Sequence, residues 1–293
     1  GTFGISNTVY AQTSPPAGTK IDYAVGTYPR GIVFDSITNS VWVTNMTSNT
    51  VSKINIHTGV RIDYPVGIYP YSITFDNITN SIWITNFYSN TISKMDINTG
   101  TRIDYLVGNY PSSVTFDNIN NSVWVANYFS NIINKINIYT GARVDYVVPT
   151  GSLEIAFDNI TNSVWVTSPG DYFNSFGTVS KINITTGERI DYPVGRYPSG
   201  ITFDKITNSI WVANSHSNTV SKINIYTGAR TDYLVGIRPS SITLDSITNS
   251  IWVTNSGSNT ISKIDINTGE RIDYPASDHP YSITFDNITN SVW

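Results

Sequence analysis

Chemistry at neutral pH needs a proton carrier, a nucleophile or a cation site, and this chain offers few candidates. Its histidines are His57, His216 and His279, and cysteine is absent. That removes thiolate nucleophiles, thiolate metal clusters and any disulfide framework, and leaves the redox compartment open. No sequence feature pairs a histidine with the orienting partner that a general base needs. Carboxylates recur instead, at Asp35, Asp76, Asp117, Asp158, Asp204, Asp245 and Asp286. Seven acids invite a metal reading, but each opens a polar turn such as Asp76–Asn80, where Asp accepts local backbone N–H bonds. Turn chemistry is therefore expected, with no metal and no cofactor.

The elements that carry these residues follow from a repeat. Trp42, Trp83, Trp124, Trp165, Trp211, Trp252 and Trp293 are spaced 41, 41, 41, 46, 41 and 41 residues apart. Within the copy Arg61–Gly100, SITFD, NSIWITN and TISKMDI alternate as strands A, B and C, and RIDYPV supplies a strand D. Gly59, Gly100, Gly141, Gly187, Gly228 and Gly269 fall at the C-to-D corner, where a hairpin asks for positive φ. About 41 residues for four antiparallel strands is the period of a propeller blade. Strand A occurs seven times, beginning near Ile32, Ile73, Val114, Ile155, Ile201, Ile242 and Ile283. The expected fold is all-β: a seven-bladed propeller of four-stranded antiparallel blades over residues 20–293. Its seventh blade is incomplete and composed of both chain ends, with A and B from the C-terminus and D from Lys20–Val25.

Composition agrees. Of 293 residues 13% are charged, and the net charge of −4 supplies no basic footprint for nucleic acid. No apolar run approaches the roughly 20 residues that span a bilayer. A chain of this length buries about three quarters of its unfolded surface, so a monomer is expected. The tryptophans are read as packing between blades. Lys53, Lys94, Lys135, Lys181, Lys222 and Lys263 on strand C, with Arg61 and Asp63 and their counterparts on strand D, are read as a solvated framework of cross-strand pairs.

With VWVTN, SNTVSKINI and VGxYPxxITFD in view, the repeat resembles the YVTN propeller repeats of archaeal and bacterial surface proteins. It is also similar to the streptogramin lyase-like (virginiamycin B lyase) propellers. The lyase resemblance implies a metal-dependent carbon–oxygen lyase, with a histidine base after the loop proline and a glutamate ending strand B. After the loop proline this chain has Arg30, Tyr71, Ser112, Ser199, Ser240 and Tyr281, with Leu153 in blade 4. Strand B ends in Asn45, Asn86, Asn127, Asn214 and Asn255, with Ser168 in blade 4. An amide cannot accept a proton at neutral pH, so no catalytic residue is assigned. Any acid–base chemistry would fall to Glu154, Asp171 and His279.

Departures from the repeat concentrate in the D-to-A and B-to-C loops, which share the top face of a propeller. They are Tyr71, Phe87, Tyr88, Tyr128, Phe129, Glu154, Asp171, Tyr172, Arg196, Arg238 and His279. Aromatic rings beside convergent polar groups fit a non-catalytic surface for a glycan, peptide or surface protein. Plain packing of the rings, or a spacer role, is the competing reading. N-x-S/T sequons at Asn45, Asn77, Asn120, Asn159, Asn183 and Asn287 follow from the turn sequence as readily as from glycosylation.

Residues 1–19 are expected to be a signal-peptide remnant or N-terminal linker, because Val9 and Ala11 form a small-residue cleavage pattern. Export to the cell surface or the extracellular space follows. The missing Met at residue 1 and the stop at Trp293 inside a repeat point to a fragment, whose vacant strand C slot lies open to Thr8–Thr13.

Overall fold

A computed structural model describes residues 8–13, 21–149, 151–170 and 176–293. Its strands in chain order begin with β1 (Thr8–Thr13) and β2 (Ile21–Ala24). Blade 1 holds β3 (Pro29–Asp35), β4 (Ser40–Asn45), β5 (Thr50–Asn55) and β6 (Arg61–Pro65). Blade 2 holds β7 (Pro70–Asp76), β8 (Ser81–Asn86), β9 (Thr91–Asp96) and β10 (Arg102–Leu106). Blade 3 holds β11 (Pro111–Asp117), β12 (Ser122–Asn127), β13 (Ile132–Asn137) and β14 (Arg143–Val147). Blade 4 holds β15 (Ile155–Asp158), β16 (Ser163–Ser168), β17 (Thr178–Asn183) and β18 (Arg189–Pro193). Blade 5 holds β19 (Pro198–Asp204), β20 (Ser209–Asn214), β21 (Thr219–Asn224) and β22 (Arg230–Leu234). Blade 6 holds β23 (Pro239–Asp245), β24 (Ser250–Asn255), β25 (Thr260–Asp265) and β26 (Arg271–Pro275). The last strands are β27 (Phe285–Asp286) and β28 (Ser291–Val292).

The protein is thus an all-β propeller of four-stranded antiparallel blades, with no helix among the described residues. Six blades are complete, and of the incomplete seventh that was expected the last repeat supplies only β27 and β28. The remaining sheet is composite, in the order β2-β1-β28-β27. Its third strand is Thr8–Thr13, which pairs with β2 and β28 in the strand C slot that the sequence reading left open to it. One unit comprises Gly1–Asn127, Ile133–Asp145 and Thr284–Trp293, and contains the composite sheet with blades 1 and 2 and most of blade 3. The other comprises Tyr128–Ile132 and Tyr146–Ile283, with blades 4 to 6.

Strand A starts at the loop proline in most blades, earlier than its alternation suggests, and carries a register shift just after it, as between Pro70 and Ile73. Strand B is buried on both faces. In the first unit Trp42 packs with Val66, just after β6, and with Ile73 and Ile82 of the next blade, and Trp83 does the same with Val107, Val114 and Val123. In the second unit Trp165 packs with Val194, Ile210 and Val212, and Trp211 with Val235, Ile242 and Ile251. A full ring of this size fills the wedge that the twist of two sheets leaves.

The seven aspartates are fully buried turn formers. Asp76 Oδ1 accepts the N–H groups of Ile78 and Thr79, while Oδ2 accepts the Thr79 hydroxyl and the Trp83 indole N–H, at 2.9, 3.0, 2.5 and 3.3 Å. The last bond, absent from the sequence reading, ties the turn to the core. At the C-to-D corner Gly59, Gly100, Gly141, Gly187, Gly228 and Gly269 have φ between 70° and 76°, as the hairpin requires.

The charged framework differs from its expected form. Lys94 is not paired across strands: it faces Ile103 in register, and its Nζ donates to the Ile138 carbonyl of the next blade at 2.7 Å. Lys53, Lys181 and Lys222 reach Ile97, Ile225 and Ile266 in the same way. Burial holds these four ammonium groups below the ordinary lysine range, against neighbouring aspartates that act in the opposite sense on each. The arginines pair along their own strand, as in Arg61–Asp63 at 2.5 Å.

Candidate functional site

The loops before strand A and after strand B are joined by backbone bonds within a blade. Phe87 N–H donates to the Tyr69 carbonyl and Tyr88 N–H to Ile68, at 3.0 and 3.2 Å. Ser215 and His216 bond Tyr197 and Arg196 in the same manner. The residue before the loop proline is left-handed in six copies: Tyr28, Tyr69, Tyr110, Tyr197, Arg238 and His279 have φ between 52° and 61°. Such a conformation costs a bulky L-residue roughly 1–2 kcal/mol. It is held from the preceding blade, where the amide oxygens of Asn49, Asn90, Asn218 and Asn259 accept the N–H groups of Tyr69, Tyr110, Arg238 and His279 at 2.9–3.0 Å.

In the first unit this geometry gathers an aromatic group around Phe87. Its ring centroid lies 5.2 Å from Tyr71, 5.3 Å from Tyr88, 5.0 Å from Tyr110 and 6.0 Å from Tyr69. Tyr88 is 55% exposed, while Phe87, Tyr69, Tyr71 and Tyr110 are half-buried. The Arg30 guanidinium stacks 3.7 Å from the Tyr71 ring centroid and donates a hydrogen bond to its hydroxyl. The rings brace one another and leave Tyr88 exposed beside half-buried rings and the Arg30 guanidinium held on Tyr71.

In the second unit Tyr128 and Phe129 meet edge to face at 4.6 Å, with Phe129 60% exposed. Arg196 lies 6.0 Å from the Phe176 ring, and Tyr197 stacks on His216 at 4.7 Å. Arg238 is exposed, and His279 Nδ1 lies 3.0 Å from Asp278 Oδ1 with both side chains in solvent. Glu154 is half-buried, its backbone paired with Thr167 on the shortened strand A side of blade 4. Asp171 and Tyr172 lie outside the described residues.

The structure thus brings together Tyr71, Phe87 and Tyr88, pairs Tyr128 with Phe129, and sets Arg196 against Phe176. Tyr69, Tyr110 and Tyr197 were missed because tyrosine recurs at that position, in four of the six copies that carry the loop proline. A residue before proline is ordinarily extended, so nothing in the sequence marks these as left-handed. The asparagines that stand where the lyase-like motif has glutamate are buried structural links. Asn86 Nδ2 donates to Ser93 Oγ, and Ser93 Oγ to Asp104, at 2.8 and 2.7 Å. Among the described residues no group of three or more His, Asp or Glu could hold a metal ion. Nor is any helix among them long and apolar enough to cross a membrane.

No protein-family model matches the chain, and no curated protein matches it. Among solved structures it is similar to the hydrazine synthase of Kuenenia stuttgartiensis, at 13% identity and a TM-score of 0.80, over 92% of this chain and 96% of that one. At that identity the likeness shows the propeller fold alone.

Proposed function

We propose that this chain is an exported or cell-surface propeller of the YVTN type that acts as a non-catalytic scaffold binding a glycan on its top-face loops. The observation that carries this reading is the braced, solvent-facing aromatic group around Phe87. A sugar ring presents C–H groups to a π face and hydroxyls to phenols and cations, and both lie within one patch here. Tyrosine also supplies contact area at little conformational cost, since it has few rotatable bonds. Bracing by Tyr69 and Tyr110, whose left-handed backbones are held by asparagines, lowers that cost further.

The test is a glycan array read beside a peptide array, with wild type and the Phe87→Ala and Tyr88→Ala variants. Glycan binding lost in both variants supports the proposal. Peptide binding lost in both keeps the site but changes the ligand class, and correctly folded protein that binds neither array overturns it.

A further inference from the structure

Three of the six N-x-S/T sequons share one position of the repeat, directly after the buried aspartate that opens the A-to-B turn. Asn77, Asn159 and Asn287 stand there, and Ser36, Asn118, Lys205 and Ser246 hold the same place in the other copies. The turn makes no use of this residue. Its bonds reach the aspartate from the two residues that follow, whether the position holds serine, as at Ile37 and Thr38 on Asp35, or lysine, as at Ile206 and Thr207 on Asp204. The threonine two residues on is framework as well, since Thr38, Thr207 and Thr248 make the same hydroxyl bond where no asparagine precedes them. What creates these three sequons is therefore the asparagine alone. Asn77, Asn159 and Asn287 are exposed, and none of their side chains makes a hydrogen bond among the described residues.

The fold engages the other three. Asn45 is 0% exposed, and its Nδ2 donates to Thr50 Oγ1 and Ser52 Oγ at 3.1 and 2.9 Å. Asn120 takes the place of the turn threonine, and its Nδ2 donates to both carboxylate oxygens of Asp117 at 3.1 and 3.0 Å. Asn183 Oδ1 accepts the Thr185 and Thr186 N–H groups at 2.9 Å, a turn duty that Asn55 and Asp96 carry in other blades. A glycan on Nδ2 of Asn45 or Asn120 would replace a proton that points into the protein, so the blade could not close around it.

We propose that Asn77, Asn159 and Asn287 are N-glycan acceptors, loaded during export before their turns fold. This rests on the export reading above. The donor is a polyprenyl-phosphate-linked oligosaccharide. Nδ2 bonds its anomeric carbon, the bond from that carbon to the phosphate oxygen breaks, the lipid phosphate leaves with the electron pair, and the amide gives up one proton. A transferase also reads the threonine hydroxyl. In the folded turns the Thr79, Thr161 and Thr289 hydroxyls are bound to Asp76, Asp158 and Asp286, which are 0% exposed, so the sequon is legible only while the chain is open. In blade 2 the glycan then projects from the end opposite the Phe87 loop, because Asp76 pairs with Ser81 and Pro70 with Asn86.

The experiment takes the protein from the surface or medium fraction of the cells that make it. N-glycans are released with an amidase in heavy-oxygen water, which leaves each occupied asparagine as a labelled aspartate for peptide mass spectrometry. Label is expected at Asn77, Asn159 and Asn287, with none at Asn45, Asn120 or Asn183. A chain found at the surface but bare at the first three overturns the inference and leaves export standing, whereas a chain retained inside the cell overturns both. Label at Asn45 or Asn120 in folded protein also overturns it. A second arm offers a transferase and lipid-linked donor to the peptide FDNITNSIW, matching Phe75–Trp83, and to the folded chain made without glycan. The peptide should be modified and the folded chain left bare; equal transfer to both overturns the order of loading. Made without glycan, a variant carrying Asn77→Gln, Asn159→Gln and Asn287→Gln together should melt within about 2 °C of wild type, since the turns do not use these side chains. A larger drop overturns that premise.

Discussion

Replacing Asp76 with alanine tests how a buried carboxylate holds a blade. The side chain is fully buried and accepts four hydrogen bonds, from Ile78 N–H, Thr79 N–H, the Thr79 hydroxyl and Trp83 Nε1. Alanine strands those donors, at about 1–3 kcal/mol for each one that water cannot reach. Trp83 is 0% exposed and bears the full penalty, whereas the two turn amides are close enough to the surface to be hydrated. The sum comes to about 3–5 kcal/mol. For 293 residues the unfolding entropy near the midpoint is about 0.6 kcal/mol/K, from roughly 2.1 cal/mol/K per residue. The expected drop in Tm is therefore about 5–8 °C. Asp76→Asn keeps an acceptor for the turn but turns an amide N–H toward the indole, so about half that drop is expected. Scanning calorimetry reads both, and a red shift of tryptophan emission should accompany the alanine variant. The reasoning is refuted if Asp76→Ala melts within about 1 °C of wild type. It is equally refuted if EDTA lowers the wild-type Tm as much as the substitution does, since that would restore the metal reading of the aspartates.

Lys94→Met removes the bond to the Ile138 carbonyl, made at 2.7 Å, while keeping most of the stem's packing. A loss of about 1–2 kcal/mol in urea unfolding is expected for an acceptor stranded at a partly wet site. Gly141→Ala and Gly187→Ala both place a side chain at positive φ, but the added Cβ meets Tyr105 at 2.1 Å in the first and nothing within 4 Å in the second. Gly187→Ala should cost about 1 kcal/mol and Gly141→Ala clearly more, by thermal denaturation. Hydrogen bonds from Arg61, Arg143 and Arg271 hold Asp63, Asp145 and Asp273 below the usual carboxylate range. Their stabilisation is complete above the unfolded value near 3.9 and is lost as pH falls through the lower folded value, so Arg61→Gln should differ from wild type by under about 1 kcal/mol at pH 7 and by less at pH 3.

Much of the fold is legible because the repeat makes one pattern visible several times. The tryptophan spacing sets the blade period, and the glycine at each C-to-D corner marks a hairpin by a backbone demand that few other residues meet. What stays hidden depends on partners chosen in three dimensions. Lys94 and Asp104 look like cross-strand neighbours on paper, yet the lysine stem is long enough to reach a carbonyl of the next blade, and Asp104 is taken by Arg102 and Ser93. Asn86 reads as a lost glutamate until its bond to Ser93 explains why an amide stands there. Thr8–Thr13 fails the amphipathic test for a core strand, but pairing with β2 and β28 is made by the backbone and does not depend on that pattern. In the site, Tyr71, Phe87 and Tyr88 stood out because they vary between blades. Tyr69 and Tyr110, which brace them, did not, because a residue that recurs in most copies looks like framework.

The central claim, that the aromatic group around Phe87 is a ligand platform, is tested most directly by calorimetric titration of the best array ligand into wild type and Tyr88→Ala. Tyr88 is more than half exposed, so its removal should leave Tm within about 1 °C of wild type while weakening binding at least tenfold, as loss of one stacked ring predicts. Unchanged affinity in a folded Tyr88→Ala protein would contradict the claim.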